Sequence, residues 1–229
     1  LNISLPSLRT ETVSVDLMDR VKAAGRRGGF TLAPEAASER MREIINKPVS
    51  TAQLLETARE IYSRGWKTIK LYFMIGHPSE TLEDVQAIAD LAKAVLAEGR
   101  KALGGKANLN VGVSTFVPKP HTPFQWSPCD TLEQIEAKQA LLRREVRGRG
   151  LKLSLNKPRE TMMEAWLSRG DRRMGAVILE AYRRGARFDG WWEHFNYAAW
   201  TEAFATQGID AAFYTHRDPG AAEVLPWDH

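Results

Sequence analysis

The stretch Tyr72-Phe73-Met74-Ile75-Gly76-His77-Pro78-Ser79-Glu80-Thr81 decides the fold. It reads as the end of a strand, a tight turn and the start of a helix. Upstream of the turn, Ile69, Leu71, Phe73 and Ile75 alternate with Lys70, Tyr72 and Met74. That period of two sends successive side chains to opposite faces of a sheet. Downstream, Leu82, Val85, Ile88, Ala92 and Val95 recur at helical spacing, which predicts a helix over 81–98. Gly76 allows a close backbone approach by a ligand. Glu80 falls at the helix N-terminus, where negative charge is favoured. The turn sits at the carboxyl end of its strand, where parallel α/β folds place their sites. The plain alternative is an ordinary strand-to-helix turn with Glu80 as a capping residue.

Outward from this unit the pattern repeats. Strands are expected over 1–6, 29–35, 67–75, 109–117 and 151–155. Helices are expected over 14–25, 38–46 with Ser38 as N-cap, 50–63, 81–98 and 131–147. Strands joined by helices imply parallel pairing with right-handed crossovers. Leu109, Val111, Val113, Thr115 and Val117 oppose Asn110, Gly112, Ser114 and Phe116, and Leu151, Leu153 and Leu155 oppose Lys152 and Ser154. A parallel sheet covered by helices on both faces is apolar on both. Here one face is polar in three strands, which favours a partial (β/α) barrel with helices outside and a hydrophilic cavity inside. An antiparallel sheet with one solvated face is the bland alternative. No G-x-G-x-x-G turn follows a strand, which counts against a dinucleotide fold. From about residue 156 the pattern changes. Residues 160–205 look mostly helical and hold Trp166, Trp191, Trp192 and Trp200, and 206–229 show no clear period. Two domains are expected, 1–155 and a helical extension over 156–229.

The 229 residues are 26% charged and 43% hydrophobic, the balance of a globular protein rather than a disordered one. No apolar run approaches the ~18 residues of a membrane-spanning helix. The net charge of +4 permits nucleic-acid contact without arguing for it. A single cysteine, Cys129, excludes an internal disulfide and cannot alone hold a thiolate zinc site or an iron–sulfur cluster. That usage points to the reducing cytoplasm. The chain opens on Leu1 and closes on Leu225-Pro226-Trp227-Asp228-His229, and it is expected to be a fragment.

Two further segments carry chemistry. In Ala33-Pro34-Glu35-Ala36-Ala37-Ser38, Glu35 falls at a strand's carboxyl end, with Lys47 after the next helix. A carboxylate and a cation at a cavity mouth suit a zwitterion such as an amino acid; the alternative is a surface Glu and a Lys complementing a helix dipole. In Ser114-Thr115-Phe116-Val117-Pro118-Lys119-Pro120-His121-Thr122-Pro123-Phe124-Gln125-Trp126, three prolines fix an irregular loop whose free backbone groups suit a base edge. Its alternative is a rigid surface loop. Arg143, Arg144, Arg147, Arg149 and Lys152 form the chain's basic feature, a solvated helix end on charge grounds.

Taken in order, these segments resemble the radical S-adenosylmethionine (SAM) superfamily over roughly residues 1–155. Gly76-His77-Pro78-Ser79-Glu80-Thr81 resembles its G-x-P-x-E-T turn after the fifth strand, and Ala33-Pro34-Glu35-Ala36-Ala37-Ser38 its fourth-strand ribose and methionine motif. Phe116-Val117-Pro118 is similar to its sixth-strand backbone. With Ser4-Leu5-Pro6-Ser7-Leu8-Arg9, these stretches most resemble a group with an N-terminal cobalamin-binding-like domain, whose reaction is not established. The resemblance implies the carboxyl-terminal part of a TIM-like radical SAM barrel, starting at its third strand. It implies a [4Fe-4S] cluster whose C-x-x-x-C-x-x-C ligands are absent from this chain, so that the chain alone is expected to be inactive. In the whole protein, the resemblance implies that SAM is cleaved reductively at the cluster to a 5′-deoxyadenosyl radical that takes hydrogen from a substrate. The implied cofactor-binding residues are Glu35 and Ser38 for ribose or methionine polar groups and Lys47 for the methionine carboxylate. Tyr72 and Met74 would line the cavity wall, with Gly76 and Val117 near adenine. Lys70, Asn110 and Ser114 are candidates for the deeper lining. No catalytic side chain and no metal ligand is assigned. The implied partners are SAM, an electron donor such as flavodoxin or ferredoxin, an unidentified substrate that includes RNA and protein among its candidates, and cobalamin as a further candidate cofactor; no membrane is expected. Two rivals stay open: a cluster-free barrel lyase using Lys70 as base or Schiff-base amine, and a non-catalytic barrel that binds a partner or RNA.

Overall fold

The computed structural model describes residues 29–220 and 223–228, and the strand and helix expected over 1–6 and 14–25 lie outside the described residues. The described chain begins with β1 (Phe30–Glu35), α1 (Glu39–Ile44), α2 (Thr51–Ser63), β2 (Thr68–Ile75) and α3 (Leu82–Leu103). A single 3-10 turn follows, then β3 (Asn108–Thr115), α4 (Leu132–Glu145) and β4 (Leu151–Leu155). Helices α5 (Pro158–Arg169), α6 (Met174–Arg183), α7 (Tyr197–Thr206) and α8 (Ala211–Thr215) complete it. The strands form one sheet in the order β1-β2-β3-β4, with β1 parallel to β2 and β3 parallel to β4. The α/β reading of the sequence therefore holds, and the antiparallel alternative falls.

Local chemistry sets the element ends. At α2, the Ser50 hydroxyl accepts from the Gln53 N–H at 3.1 Å while the Gln53 side chain accepts from the Ser50 N–H at 2.9 Å, a complete capping box. Thr81 and Asp84 make the same box at α3. Helix α3 runs past the expected end at 98 because Glu98 pairs with Arg59 and Lys101, which holds the charged turn in the helix until Gly104 turns left-handed at φ 58°. Strand β3 stops at Thr115 rather than 117, since its register with β4 ends at Val113 and Leu155. A ladder without a partner strand has no bonds to continue.

The described residues gather into two compact units, one of 29–114 with 137–155 and the other of 115–136 with the residues from 156 onward. In the first unit the apolar face of the sheet is Leu32, Ile69, Leu71, Phe73, Ile75, Leu109, Val111 and Val113, all buried. Helices α2 and α3 supply Leu54, Ala58, Ile61, Tyr62, Val85, Ile88, Ala92 and Val95 to the same core. Each large side chain fully buried there contributes about 1.5–3 kcal/mol. The opposite face stays polar and open: Lys70, Tyr72, Ser114, Lys152 and Ser154 are exposed, and Thr31, Met74, Asn110 and Gly112 half-buried.

In the second unit, Ile135, Met162, Trp166, Val177, Ala181, Ala203 and Phe204 form a separate core. Trp166 stacks on Tyr197 at 5.5 Å and meets the Phe204 ring edge-on at 5.0 Å. The mostly helical reading of 160–205 holds, with an irregular break inside it. Residues 184–196 are irregular, because Gly185 and Phe188 adopt left-handed φ values of 93° and 59° that end α6 and prevent a new helix.

Gly99 explains itself by contact. A Cβ there would lie 2.7 Å and 2.8 Å from Tyr62 ring carbons and 2.9 Å from the Ala107 Cβ. Tyr62 cannot retreat, being fully buried with its hydroxyl donating to the Asn108 carbonyl at 2.9 Å. Gly-to-Ala inside a helix ordinarily stabilises by about 1 kcal/mol. Here Gly99→Ala is expected to destabilise by about 1–3 kcal/mol through overpacking, read as a lower urea midpoint; a raised midpoint would contradict the close fit of α3 on α2.

Candidate functional site

The turn after β2 is closed by a buried carboxylate. Gly76 is left-handed at φ 86°, and its N–H donates to Glu80 Oε2 at 2.7 Å. The same oxygen lies 2.7 Å from Lys138 Nζ of α4, with the two side chains 4% and 10% exposed. Glu80 is thus not the cap of α3, as the plain reading had it; Thr81 takes that role. Buried pairs are held by geometry, and losing one partner leaves a charge stranded at about 3–5 kcal/mol. Lys138 went unnoticed in the sequence because it sits among the charges of an amphipathic helix.

The end of β1 is shaped just as firmly. The β1–β2 register shifts between Leu32 and Glu35, and Glu35 takes φ 65°, an unusual conformation for a residue other than glycine. Glu35 Oε1 lies 3.4 Å from Lys47 Nζ, both side chains being about a quarter exposed at 28% and 26%. A part-exposed pair of this kind contributes about 0–1 kcal/mol, so either charge can exchange partners at little cost. The backbone that presents them is clamped by Arg42, 1% exposed. Its guanidinium donates to the carbonyls of Ala36 and Ala37 at 3.3 and 2.7 Å and to the Thr51 hydroxyl at 2.7 Å. Burial holds its pKa below the ordinary arginine value despite the opposing charge of Glu39. The Lys47 N–H donates to the Arg42 carbonyl at 2.7 Å, which fixes the cation after α1. Arg42 reads in the sequence as a basic residue at a helix end, and only packing reveals it as a clamp.

Asp84 joins these two turns. Its Oδ1 accepts from the Ser38 hydroxyl at 2.6 Å, and its Oδ2 accepts from the Thr81 N–H at 2.9 Å and from Arg40. Arg40 also donates to the Ser79 carbonyl at 2.9 Å. Ser38 is the N-cap of α1, as its position suggested, accepting from the Met41 N–H at 3.2 Å. Its hydroxyl is therefore committed to both the cap and Asp84. Burial works against the Asp84 charge, but the donors Ser38, Thr81 and Arg40 outweigh it and hold its pKa below the usual carboxylate value.

Between the turns lies the polar sheet face. The Tyr72 ring lies across Gly112, where a Cβ would stand 2.8 Å from two of its carbons. Glycine on β3 is what lets this ring lie flat against the neighbouring strand. Met74 is half-buried beyond it, and the Ser114 hydroxyl donates to the Phe73 carbonyl at 3.5 Å. Lys70 is exposed and lacks the burial that activates a Schiff-base lysine. The basic feature is locally engaged: Arg143 with Gln139, Arg144 with Glu145, and Arg147 with the Arg143 carbonyl.

Val117 falls in the second unit. Its side chain is buried with Cys129 and Ala165. In the proline-rich loop the Pro118 carbonyl accepts from buried Arg169 at 3.1 Å, and His121 is exposed with φ 58°. Burial pushes the Cys129 thiol up to about 11, against the pull of Arg169 and Lys119, which makes it an inert core residue. Among the described residues no three His, Cys, Asp or Glu side chains gather to hold a metal ion, and the chain's single cysteine does not fit a [4Fe-4S] cluster. Among the described residues no helix is long and apolar enough to cross a membrane.

Residues 2–92 match the family model of the radical SAM superfamily. The described part of that match, from 29 to 92, contains both strand-end turns. The chain is also 31% identical, over 178 residues, to an uncharacterized protein of Methanocaldococcus jannaschii. That similarity covers 78% of this chain and 37% of the archaeal protein, so the chain spans well under half the length of its relative.

The Asp84 network has a pH signature. A carboxylate whose folded pKa is depressed contributes stability that is fully present above its unfolded value of ~3.9 and is lost as pH falls through the folded value. The stability gap between the native chain and Asp84→Asn is expected to be widest near neutrality and to narrow below about pH 4. Urea midpoints of both proteins across that range measure it, and a gap independent of pH would remove the ionised carboxylate from the account.

Proposed function

We propose that the polar sheet face of the first unit and the two turns at its carboxyl edge bind SAM in a radical SAM enzyme whose cluster ligands lie outside these 229 residues. The observation that carries this reading is the Glu35–Lys47 pair, held on a left-handed strand end and weakly bound to itself at 3.4 Å. A zwitterion replaces such a pair charge for charge. Lys47 takes the methionine carboxylate as a point charge, without the two-pronged geometry of an arginine. Glu35 takes the methionine amino group or a ribose hydroxyl. Ser38 acts through Asp84 and its cap, holding the loop that presents Glu35. Tyr72 and Met74 form the apolar wall of an otherwise polar face, and Gly76, lacking a side chain, lets the adenosyl group lie against the backbone.

SAM in this superfamily, reduced at a [4Fe-4S] cluster, supplies a 5′-deoxyadenosyl radical for hydrogen abstraction. The contribution of this chain's residues is orientation and exclusion of water. The superfamily domain over 2–92 supports the reading. An electron donor such as flavodoxin or ferredoxin, and a substrate still to be identified, complete the proposal.

Calorimetry on the intact protein tests it. Lys47→Glu is expected to weaken SAM about tenfold, equal to about 1.4 kcal/mol, with the circular dichroism spectrum unchanged. Decarboxylated SAM, which lacks the group assigned to Lys47, is expected to lose far less. Equal affinity of native and Lys47→Glu protein for SAM would overturn the assignment.

A further inference from the structure

The second unit contains a cavity of about 560 Å³ that the SAM reading does not use. Its lining includes Lys157, Arg159, Asn196, Tyr197, Glu136 and Glu193. Lys157 Nζ lies 4.2 Å from the centroid of the Trp192 ring, and the Arg159 guanidinium lies 5.2 Å from that of Tyr197. Each of the two lining cations thus sits over a flat aromatic face. Trp191 and Trp192 are 64% and 69% exposed, on the irregular segment where the helical pattern breaks. Large apolar rings left in water side by side mark a contact surface rather than a solvated loop. Arg159 of α5 and Tyr197 and Ala198 of α7 line the same cavity, so the N-terminal ends of both helices add to its positive side.

We infer that this cavity and the adjoining indoles bind a nucleobase together with its phosphate, from a free nucleotide or an unpaired nucleotide of RNA. Each part of such a ligand has a counterpart. The base stacks on an exposed indole, as bases do on aromatic platforms in single-strand binding proteins. The phosphate meets Lys157 and Arg159. Glu136, Glu193 and Asn196 offer acceptors to base amino groups or ribose hydroxyls, and the two carboxylates repel a phosphate from their own side. An acidic peptide would satisfy the cations and leave the flat indole faces in water; a nucleotide satisfies both. The volume suits a ligand of one nucleotide.

The test uses the intact protein and two probes, uridine 5′-monophosphate and a short 5′-phosphorylated oligouridine. Uracil is chosen because it lacks the adenine of SAM, which keeps the outcome separate from that of the SAM face. Affinities come from calorimetry for Trp192→Ala, Trp192→Phe, Arg159→Glu and Lys47→Glu. Trp192→Ala and Arg159→Glu are expected to weaken binding at least about fivefold, Trp192→Phe to retain most of it, and Lys47→Glu to leave it unchanged. Uridine and inorganic phosphate, each half of the ligand, are expected to bind more weakly than the nucleotide. For the oligouridine, Arg159→Glu also flattens the dependence of log affinity on log salt by about 0.7 or more. Sensitivity of both probes identifies a nucleotide site, and sensitivity of the oligouridine alone identifies RNA. Failure of both probes to bind, or binding that Trp192→Ala and Arg159→Glu leave intact, overturns the inference.

Discussion

The first unit depends on one carboxylate. Asp84 belongs to the first turn of α3, yet its partners come from three places: Ser38 after β1, Thr81 at its own helix cap, and Arg40 of α1, which also holds the Ser79 carbonyl. Strand-end loops carry unpaired peptide groups and are ordinarily the most mobile parts of an α/β fold. Here a single charge ties two of them together, and the donors around it outweigh its desolvation. Arg42 clamps the first loop from below and the Glu80–Lys138 pair closes the second. The outcome is a rigid edge on which Glu35, Lys47 and Gly76 stand beside an open polar face.

This division of labour explains where rigidity and freedom sit. The groups that fix the loops, Arg42, Asp84, Glu80 and Lys138, are buried or nearly so and held by close polar partners. The groups proposed to meet a ligand, Glu35 and Lys47, are partly exposed and pair with each other at 3.4 Å. A site that must exchange an internal ion pair for a zwitterion needs a weak pair on a stiff support. The second unit shows the inverse pattern around its cavity, where an aromatic core built on Trp166 supports a surface of indoles left in water.

Much of the first unit was legible in the sequence. Period-two alternation over 67–75, 109–117 and 151–155 identified both faces of the sheet, though it carried the third strand two residues past its end at Thr115. The cap at Ser38 was legible for a similarly local reason, and Ser50 and Thr81, read as helix starts, prove to be caps as well. The clamps were not. Arg42 and Lys138 look like surface charges until packing buries them, and nothing in a linear sequence tells a buried cation from a solvated one. Glu80 was placed correctly but given a local role, whereas its partner comes from α4, far along the chain. The break over 184–196 was missed because Phe188 adopts a left-handed conformation that its residue type does not announce.

The central claim is that the two turns at the carboxyl edge of β1 and β2 receive SAM. Hydrogen–deuterium exchange on the intact protein, with and without SAM, reads it at the backbone. The account predicts slower exchange in peptides covering 33–47 and 72–81, with the apolar core strands unchanged. Identical exchange in both peptides at saturating SAM would contradict it.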